Sequence, residues 1–243
     1  MSGNIFDPAQ NKAARIAGLA YLLTLAIVVI ANYAISFRFI VPDDFGQTTR
    51  NILAHEQLFR LNAAFDLVYA VGIVVLLTAL YSVLKPLGKG LALLAAFFRF
   101  VYALLWIVIA LSLFSLLKLL TSPDLAKLFE ADRLQSIAFL FLKSSSNAYT
   151  FGLVVWGLAS TICAFQLYGS GYVPKFLAIW GMIASTWCSV CGFGVVIITD
   201  FAKWVNPNLY DIPMLVFEIA IAILFLRRGV RPHTAREPTP TVP

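Results

Sequence analysis

Three charged residues stand within stretches of the sequence that are otherwise apolar: Asp66, Arg99 and Glu218. An ionisable side chain at bilayer depth costs about 2.5–3.5 kcal/mol on insertion scales, so it usually faces a partner or water. Carboxylates and a guanidinium in this setting can relay a proton, bind a ligand or hold helices together. These residues are therefore the first candidates for the chemistry of the chain.

Arg99 and Glu218 are predicted to lie at the same depth. Arg99 follows Gly90 by nine residues, and Glu218 precedes Arg227 by nine residues. At the rise of an α-helix, each is then about 13 Å from the same membrane face. Equal depth and opposite charge predict an ion pair between their helices. Such a pair is weak support for either function or stability, so a proton- or ligand-linked site and a structural clamp both stay open.

Asp66 is predicted to lie near the other membrane face, about 28 Å from the first one at the helical rise. Asn62 and Asp66 are spaced i and i+4, which puts them on one face of a helix. Arg60 precedes Asp66 by six residues and cannot pair neatly with it within the helix. These three residues predict a polar cluster at the outer mouth of a bundle, and the alternative is a solvated helix end.

Other reactive residue types give weaker patterns. Cys188 and Cys191 form a C-x-x-C, which can be a redox motif, but they stand inside an apolar run where a thiolate is disfavoured. Together with Cys163 they are equally well explained as small packing residues. His55 and His233 are predicted on opposite sides of the membrane, and no metal, phosphate-loop or dinucleotide motif occurs. We therefore predict no metal, no cofactor and no catalytic residue.

The composition indicates a membrane protein. The chain has 243 residues, of which 60% are hydrophobic and 12% are charged, and its mean hydropathy is +0.86. Soluble domains average about 45–50% apolar and about 25% charged residues. This composition excludes a soluble domain and bulk disorder. The net charge of +6 is not arranged as a basic stripe with interleaved aromatic residues, so nucleic acid is not an expected partner.

The hydropathy pattern predicts an all-α, polytopic transmembrane bundle of six helices. Two amphipathic segments are predicted to lie at the interface on the non-cytoplasmic side. The first follows a helix-start signal at Pro42-Asp43-Asp44, and the second is separated from the fourth span by a polar cap at 144–147. A disordered cytoplasmic tail is predicted over 230–243, after a membrane domain at 1–229. The spans are 16–37, 61–84, 91–117, 148–168, 176–199 and 212–226, and the amphipathic segments are 42–60 and 124–143.

The positions of basic residues predict the orientation. Six spans place both termini on one side, together with the turns at 85–90 and 169–175. These turns and Arg227-Arg228 put Lys and Arg directly at span ends, which is typical of the cytoplasmic side. Both termini are therefore predicted to be cytoplasmic.

The chain resembles a family of bacterial six-span membrane proteins catalogued as domain of unknown function 4386. The resemblance covers nearly the whole chain up to Gly229 and has no short catalytic signature. It implies six spans and a bacterial inner membrane, and it implies no activity. It is carried by the segments Ala14-Arg15-Ile16-Ala17-Gly18, Ile40-Val41-Pro42, Leu58-Phe59-Arg60-Leu61, Leu91 to Arg99 and Gly171-Tyr172-Val173-Pro174, and by Asp66 and Glu218.

Three functions are compatible with these patterns. The first is binding or transport of a small-molecule or lipid-like ligand within the bundle, with Asp66, Arg99 and Glu218 as polar contacts. The second is a non-catalytic accessory or sensor protein whose charges only clamp helices together. The third is an intramembrane enzyme, for which the sequence offers no nucleophile or metal site. Membrane lipids are the expected partners, and the oligomeric state is left open.

Overall fold

A computed structural model describes residues 8–41, 44–124, 130–206 and 210–230, and these form helices joined by short turns, without β-strands. Short helical segments at Phe37–Phe39, Lys85–Leu87 and Phe201–Trp204 lie between the main helices. A π-helix over Ile30–Ser36 extends the first helix. The main helices are α1 (Pro8–Val29), α2 (Phe45–Ala54), α3 (Glu56–Leu84), α4 (Lys89–Thr121), α5 (Ala131–Ser170), α6 (Lys175–Ile197) and α7 (Ile212–Arg228).

Five of these helices, α1, α3, α4, α5 and α6, are long and apolar enough to cross a membrane. Their outward faces carry large apolar side chains: Val71, Leu93 and Ile183 are 65%, 57% and 66% exposed. Apolar side chains on the outside of a bundle are stable in lipid and costly in water. The fold therefore indicates a membrane protein.

The six long helices form a closed ring. Neighbouring helices pack in the order α1, α3, α4, α5, α6 and α7, and α7 packs back against α1. Helices that are consecutive in the chain are mostly neighbours because the connections between them are short. The ring puts α4 and α7 on opposite sides, so any contact between their side chains crosses the centre of the bundle.

Helix α2 begins where the sequence predicts a helix start. The Asp44 carboxylate accepts a hydrogen bond from the backbone N–H of Gln47 at 2.7 Å, which satisfies one of the free donors at a helix N-terminus. The Phe45 ring packs edge-on against Phe139 of α5, with ring centroids 5.4 Å apart. This contact fixes α2 across one end of the ring. Its position at a membrane interface stays a prediction.

The predicted second amphipathic helix is not a separate element. Residues 131–143 are the first turns of α5, a continuous helix of 40 residues that includes the fourth predicted span. The predicted cap at 144–147 does not break the helix because its hydroxyls bond along the helix: Ser145 donates to the Leu142 carbonyl at 2.7 Å. At about 1.5 Å per residue, α5 is about 60 Å long, so it projects beyond the bilayer core.

The sixth predicted span corresponds to α7, which has 17 residues. A helix of this length is about 25 Å long and a little shorter than a hydrocarbon core of about 30 Å. The count of six spans therefore stays a prediction, although α7 completes the ring. The predicted disordered tail falls almost entirely on 231–243, outside the described residues.

Candidate functional site

A buried polar network crosses the middle of the ring. The Arg99 guanidinium of α4 lies 3.9 Å from a carboxylate oxygen of Glu218 on α7. Ser160 of α5 joins them, since its hydroxyl accepts a hydrogen bond from Arg99 at 3.2 Å and donates one to Glu218 at 2.8 Å. Arg99 also donates to the Tyr21 hydroxyl of α1 at 2.9 Å. The sequence-predicted pair is thus present, and four helices meet at it.

Arg99 is sealed inside this network. Its side chain is fully buried, and the guanidinium carbon stands 4.3 Å from the centre of the Trp156 ring. The Nη2 atom also lies 3.7 Å from Sγ of Cys163. Its Nε and Nη1 have no hydrogen-bond acceptor within the described part of the chain, so the aromatic face and the Glu218 charge stabilise the cation.

A cavity of about 670 Å³ lies on one side of the network, toward α2. Glu218 and Tyr21 belong to its deep end, whereas Arg99 does not reach its wall. Exposed residues of the wall, Ile40 and Asp44, mark the rim at the opposite end. The cavity therefore runs from the end of the ring near α2 down to Glu218 at its centre.

Asp66 is buried in this wall and has no partner. Its side chain belongs to the cavity lining and is only 2% exposed. No hydrogen bond or ion pair joins it to any residue that the structure describes. The alternative of a solvated helix end is therefore wrong. A carboxylate buried without donors is costly, because the loss of hydration is not compensated.

The other two predicted site residues, Asn62 and Arg60, lie in different environments. Asn62 lies on the cavity wall with Asp66, as their spacing predicts, and its side-chain oxygen accepts a hydrogen bond from the Ser36 hydroxyl at 3.3 Å. Ser36 ends the π-helix that extends α1, and π-helical turns are frequent at functional sites. Arg60 stays outside the cavity, where it pairs with Glu56 with an Nε–Oε1 distance of 2.8 Å.

Aromatic side chains make up a large part of the wall. Tyr69 of α3 packs against Trp106 of α4 with ring centroids 4.2 Å apart, and Tyr102 packs against Trp156 at 4.4 Å. The Tyr69 and Tyr102 hydroxyls are within 3.1 Å of each other. These rings offer apolar area together with electron-rich faces. Sequence analysis missed them because aromatic residues are common throughout the apolar runs.

Asp211 is a further acid that sequence analysis missed. It stands directly before α7 and lines the cavity, and its Oδ2 accepts a hydrogen bond from Tyr149 at 3.3 Å. Burial raises the pKa of the Asp211 carboxyl above its ordinary value, while the hydrogen bonds that it accepts oppose that rise. Among the described residues, the wall also contains one base, Lys143, which is exposed at the rim.

The cysteines take no part in the cavity wall. Cys188 and Cys191 are buried as free thiols, and Cys163 is a third. The Cys188 thiol lies 3.8 Å from the Leu153 carbonyl, across the contact between α5 and α6. This placement favours the packing interpretation of the C-x-x-C over the redox one.

The comparisons with known proteins point to one family. The model of the family described as Domain of unknown function (DUF4386) matches residues 16–229, which confirms the resemblance seen in the sequence. No match was found among curated proteins or among solved structures.

Proposed function

Since this chain belongs to the family described as Domain of unknown function (DUF4386), its activity has to be argued from its own residues, and we propose that it binds a small amphipathic molecule inside the helix ring. The observation that carries this proposal is the cavity of about 670 Å³. Ligand pockets typically measure about 300–1,000 Å³ and combine apolar walls with a few placed polar groups. The wall described above has this composition.

The shape of the cavity supports binding from one end. Glu218, which pairs with Arg99 and Ser160 behind it, lies at the floor of the cavity, and the rim lies beside α2. Beyond the floor, the Gln10 side chain donates to the Val83 carbonyl at 2.8 Å, and Gln166 donates to the Gly88 carbonyl at 2.9 Å. These bonds hold the helices together at the other end. They therefore favour a binding site that opens at one end, and not a channel that is open at both ends.

The Arg99 network supports a second function alongside the first. Because Arg99 is sealed away from the cavity, its role is that of a structural clamp, as in an accessory or sensor protein. Glu218 belongs to both features, since it pairs with Arg99 of this clamp and also lines the cavity. Binding next to Glu218 could thereby change how α4 and α7 are held together, which is what a sensor requires.

The proposal includes the topology. All six ring helices cross a bacterial inner membrane, both termini are cytoplasmic, and the mouth of the cavity faces the outer side. The basic turns at 85–90 and 169–175 support this orientation. Single cysteines placed in these turns should react with a membrane-impermeant reagent only after the cells are opened. Cysteines at 130 or 146 should react in intact cells, and the reverse pattern would invert the proposed topology.

A cavity-filling variant tests the binding proposal. Met214 is a buried residue of the cavity wall, so Met214→Trp fills space that a ligand would occupy. Ile183 is 66% exposed on the outside of α6, which makes Ile183→Trp the matched control. Titration of the purified chain with 2-phenylethanol should show saturable binding in the wild type and the control, and loss of binding in Met214→Trp. Equal binding by all three proteins would place the site elsewhere and overturn the proposal.

A further inference from the structure

We propose that the ligand of this cavity is an organic cation, a protonated amine on an apolar or aromatic body, and that Asp66 is its counter-ion. This inference rests on the proposed function and specifies the chemical class of the ligand.

Asp66 is the acid that lacks a partner. It is 2% exposed, lines the cavity and has no hydrogen bond or ion pair with any residue in the described ranges. A protein that buries an ionisable group usually supplies donors or an opposite charge. An ammonium group that entered the cavity would supply both, because it carries a positive charge and N–H donors.

The other acids of the wall are already engaged. Glu218 faces Arg99 and accepts a hydrogen bond from Ser160. Asp211 accepts one from Tyr149, and Asp44 caps α2. They add negative charge around the cavity without competing for the same donor, and the one base of the described wall, Lys143, is exposed at the rim. The interior therefore attracts cations and repels anions.

The aromatic side chains fit the same class of ligand. Tyr69 follows Asp66 by three residues, which puts both on one face of α3. Tyr69 packs against Trp106, and both belong to the cavity wall. Aromatic faces attract ammonium groups, and the attraction is stronger where water is excluded. A carboxylate beside paired aromatic rings is thus suited to an amine that carries an apolar group.

An inorganic cation fits this cavity less well. In the part of the chain that the structure describes, no three His, Cys, Asp or Glu side chains come together as they would around a metal ion. Hard cations such as Ca²⁺ take about 6–8 oxygen ligands, whereas the acids here are distributed around a largely apolar wall. The distribution favours a ligand that is itself large and mostly apolar.

Matched probes test the charge preference. The purified full-length chain is titrated calorimetrically at neutral pH with 2-phenylethylammonium, with 2-phenylethanol and with 3-phenylpropanoate, which are similar in size and differ in charge. We expect the cation to bind about tenfold more tightly than the alcohol, because the charge pair is desolvated, and the anion to bind most weakly. Asp66→Asn should greatly reduce the preference for the cation, because the remaining acids already have partners, and the alcohol should still bind. The control Asp200→Asn removes an exposed acid that pairs with Lys203, and it should change neither.

The outcomes separate this inference from the proposed function. Equal binding of cation and alcohol by the wild type, or a cation preference that is undiminished in Asp66→Asn, would overturn the inference while the cavity remained a binding site. No binding of any probe by the wild type would overturn both. The comparison of the three probes on the wild type does not depend on the folding of any variant. For Asp66→Asn, retained binding of the alcohol shows that the cavity is intact.

Discussion

Arg99 and Glu218 face each other across the centre of the helix ring, with a distance of 3.9 Å between guanidinium nitrogen and carboxylate oxygen. Their helices, α4 and α7, are on opposite sides of the ring, so the pair connects elements that are not neighbours. The Ser160 hydroxyl connects the two side chains, because it accepts a hydrogen bond from Arg99 and donates one to Glu218. Of the three residues, Glu218 also lines the floor of the cavity.

The first prediction concerns this pair. Arg99→Leu and Glu218→Gln should each destabilise the protein, because each leaves a buried polar group without its partner, and breaking a buried pair costs about 3–5 kcal/mol. The double variant should be more stable than the sum of the two losses predicts. Melting of the purified variants in detergent measures this coupling, and independent additive losses would contradict it.

The second prediction compares two buried serines. Ser160→Ala removes the hydroxyl that bonds to both Arg99 and Glu218, and the loss should be about 1–3 kcal/mol since two charged groups lose a partner. Ser185 is also fully buried, but its hydroxyl has no partner within the described residues. Ser185→Ala should therefore be neutral or stabilising in the same melting experiment. A similar loss in both variants would show that the Ser160 bonds contribute little.

The Arg99–Glu218 contact could be predicted from the sequence because depth along a helix is a count of residues. The partners Tyr21 and Ser160 could not, since a hydroxyl in an apolar run gives no signal of what it faces. The cavity was likewise beyond prediction. It depends on how α1, α3 and α7 are set around the ring, and this is decided by packing between distant parts of the chain.

Element boundaries show the same limit. The polar residues at 144–147 resemble a cap, yet α5 continues through them. Ser and Thr can satisfy their hydroxyls on the carbonyl of the preceding turn, as Thr150 does on Ser146 at 3.3 Å. No Gly or Pro interrupts the segment 131–147, so nothing in the backbone forces the helix to end there. The absence of Gly and Pro predicted the course of the helix better than the presence of residue types that favour caps.

The third prediction concerns the contact between α1 and α7, which closes the ring. A Cβ atom added to Gly18 would lie 2.7 Å from the Ala222 carbonyl oxygen and 2.9 Å from the Leu226 side chain. Gly18→Ala should therefore push α7 away and lower the melting temperature, although Ala favours a helix. Gly169 of α5 has no atom within 4 Å of such a Cβ. Gly169→Ala should be neutral or stabilising, and equal destabilisation by both variants would show that the α1–α7 contact adjusts freely.

The last prediction concerns the pH dependence that Asp211 causes. Its raised pKa, a result of burial, means that the folded state favours the protonated carboxyl. At a pH below the ordinary aspartate pKa of about 3.9, Asp211 is protonated whether the chain is folded or unfolded and costs nothing. As the pH rises from the ordinary pKa to the raised one, the unfolded chain releases this proton while the folded chain keeps it, so stability falls relative to a variant that stays neutral and levels off above the raised pKa.

Asp211→Asn is that variant, because its amide oxygen can still accept the hydrogen bond from Tyr149. Melting in detergent from about pH 4 to about pH 8, a range that begins near the ordinary aspartate pKa, should show the wild type losing stability relative to Asp211→Asn as the pH rises. Asp200→Asn, which removes an exposed acid that pairs with Lys203, is the control for the loss of one negative charge and is measured over the same range. If the stability of the wild type instead increased relative to Asp211→Asn with rising pH, the folded protein would stabilise the Asp211 charge. The carboxyl at the start of α7 would then be a solvated cap and not a buried acid of the cavity wall.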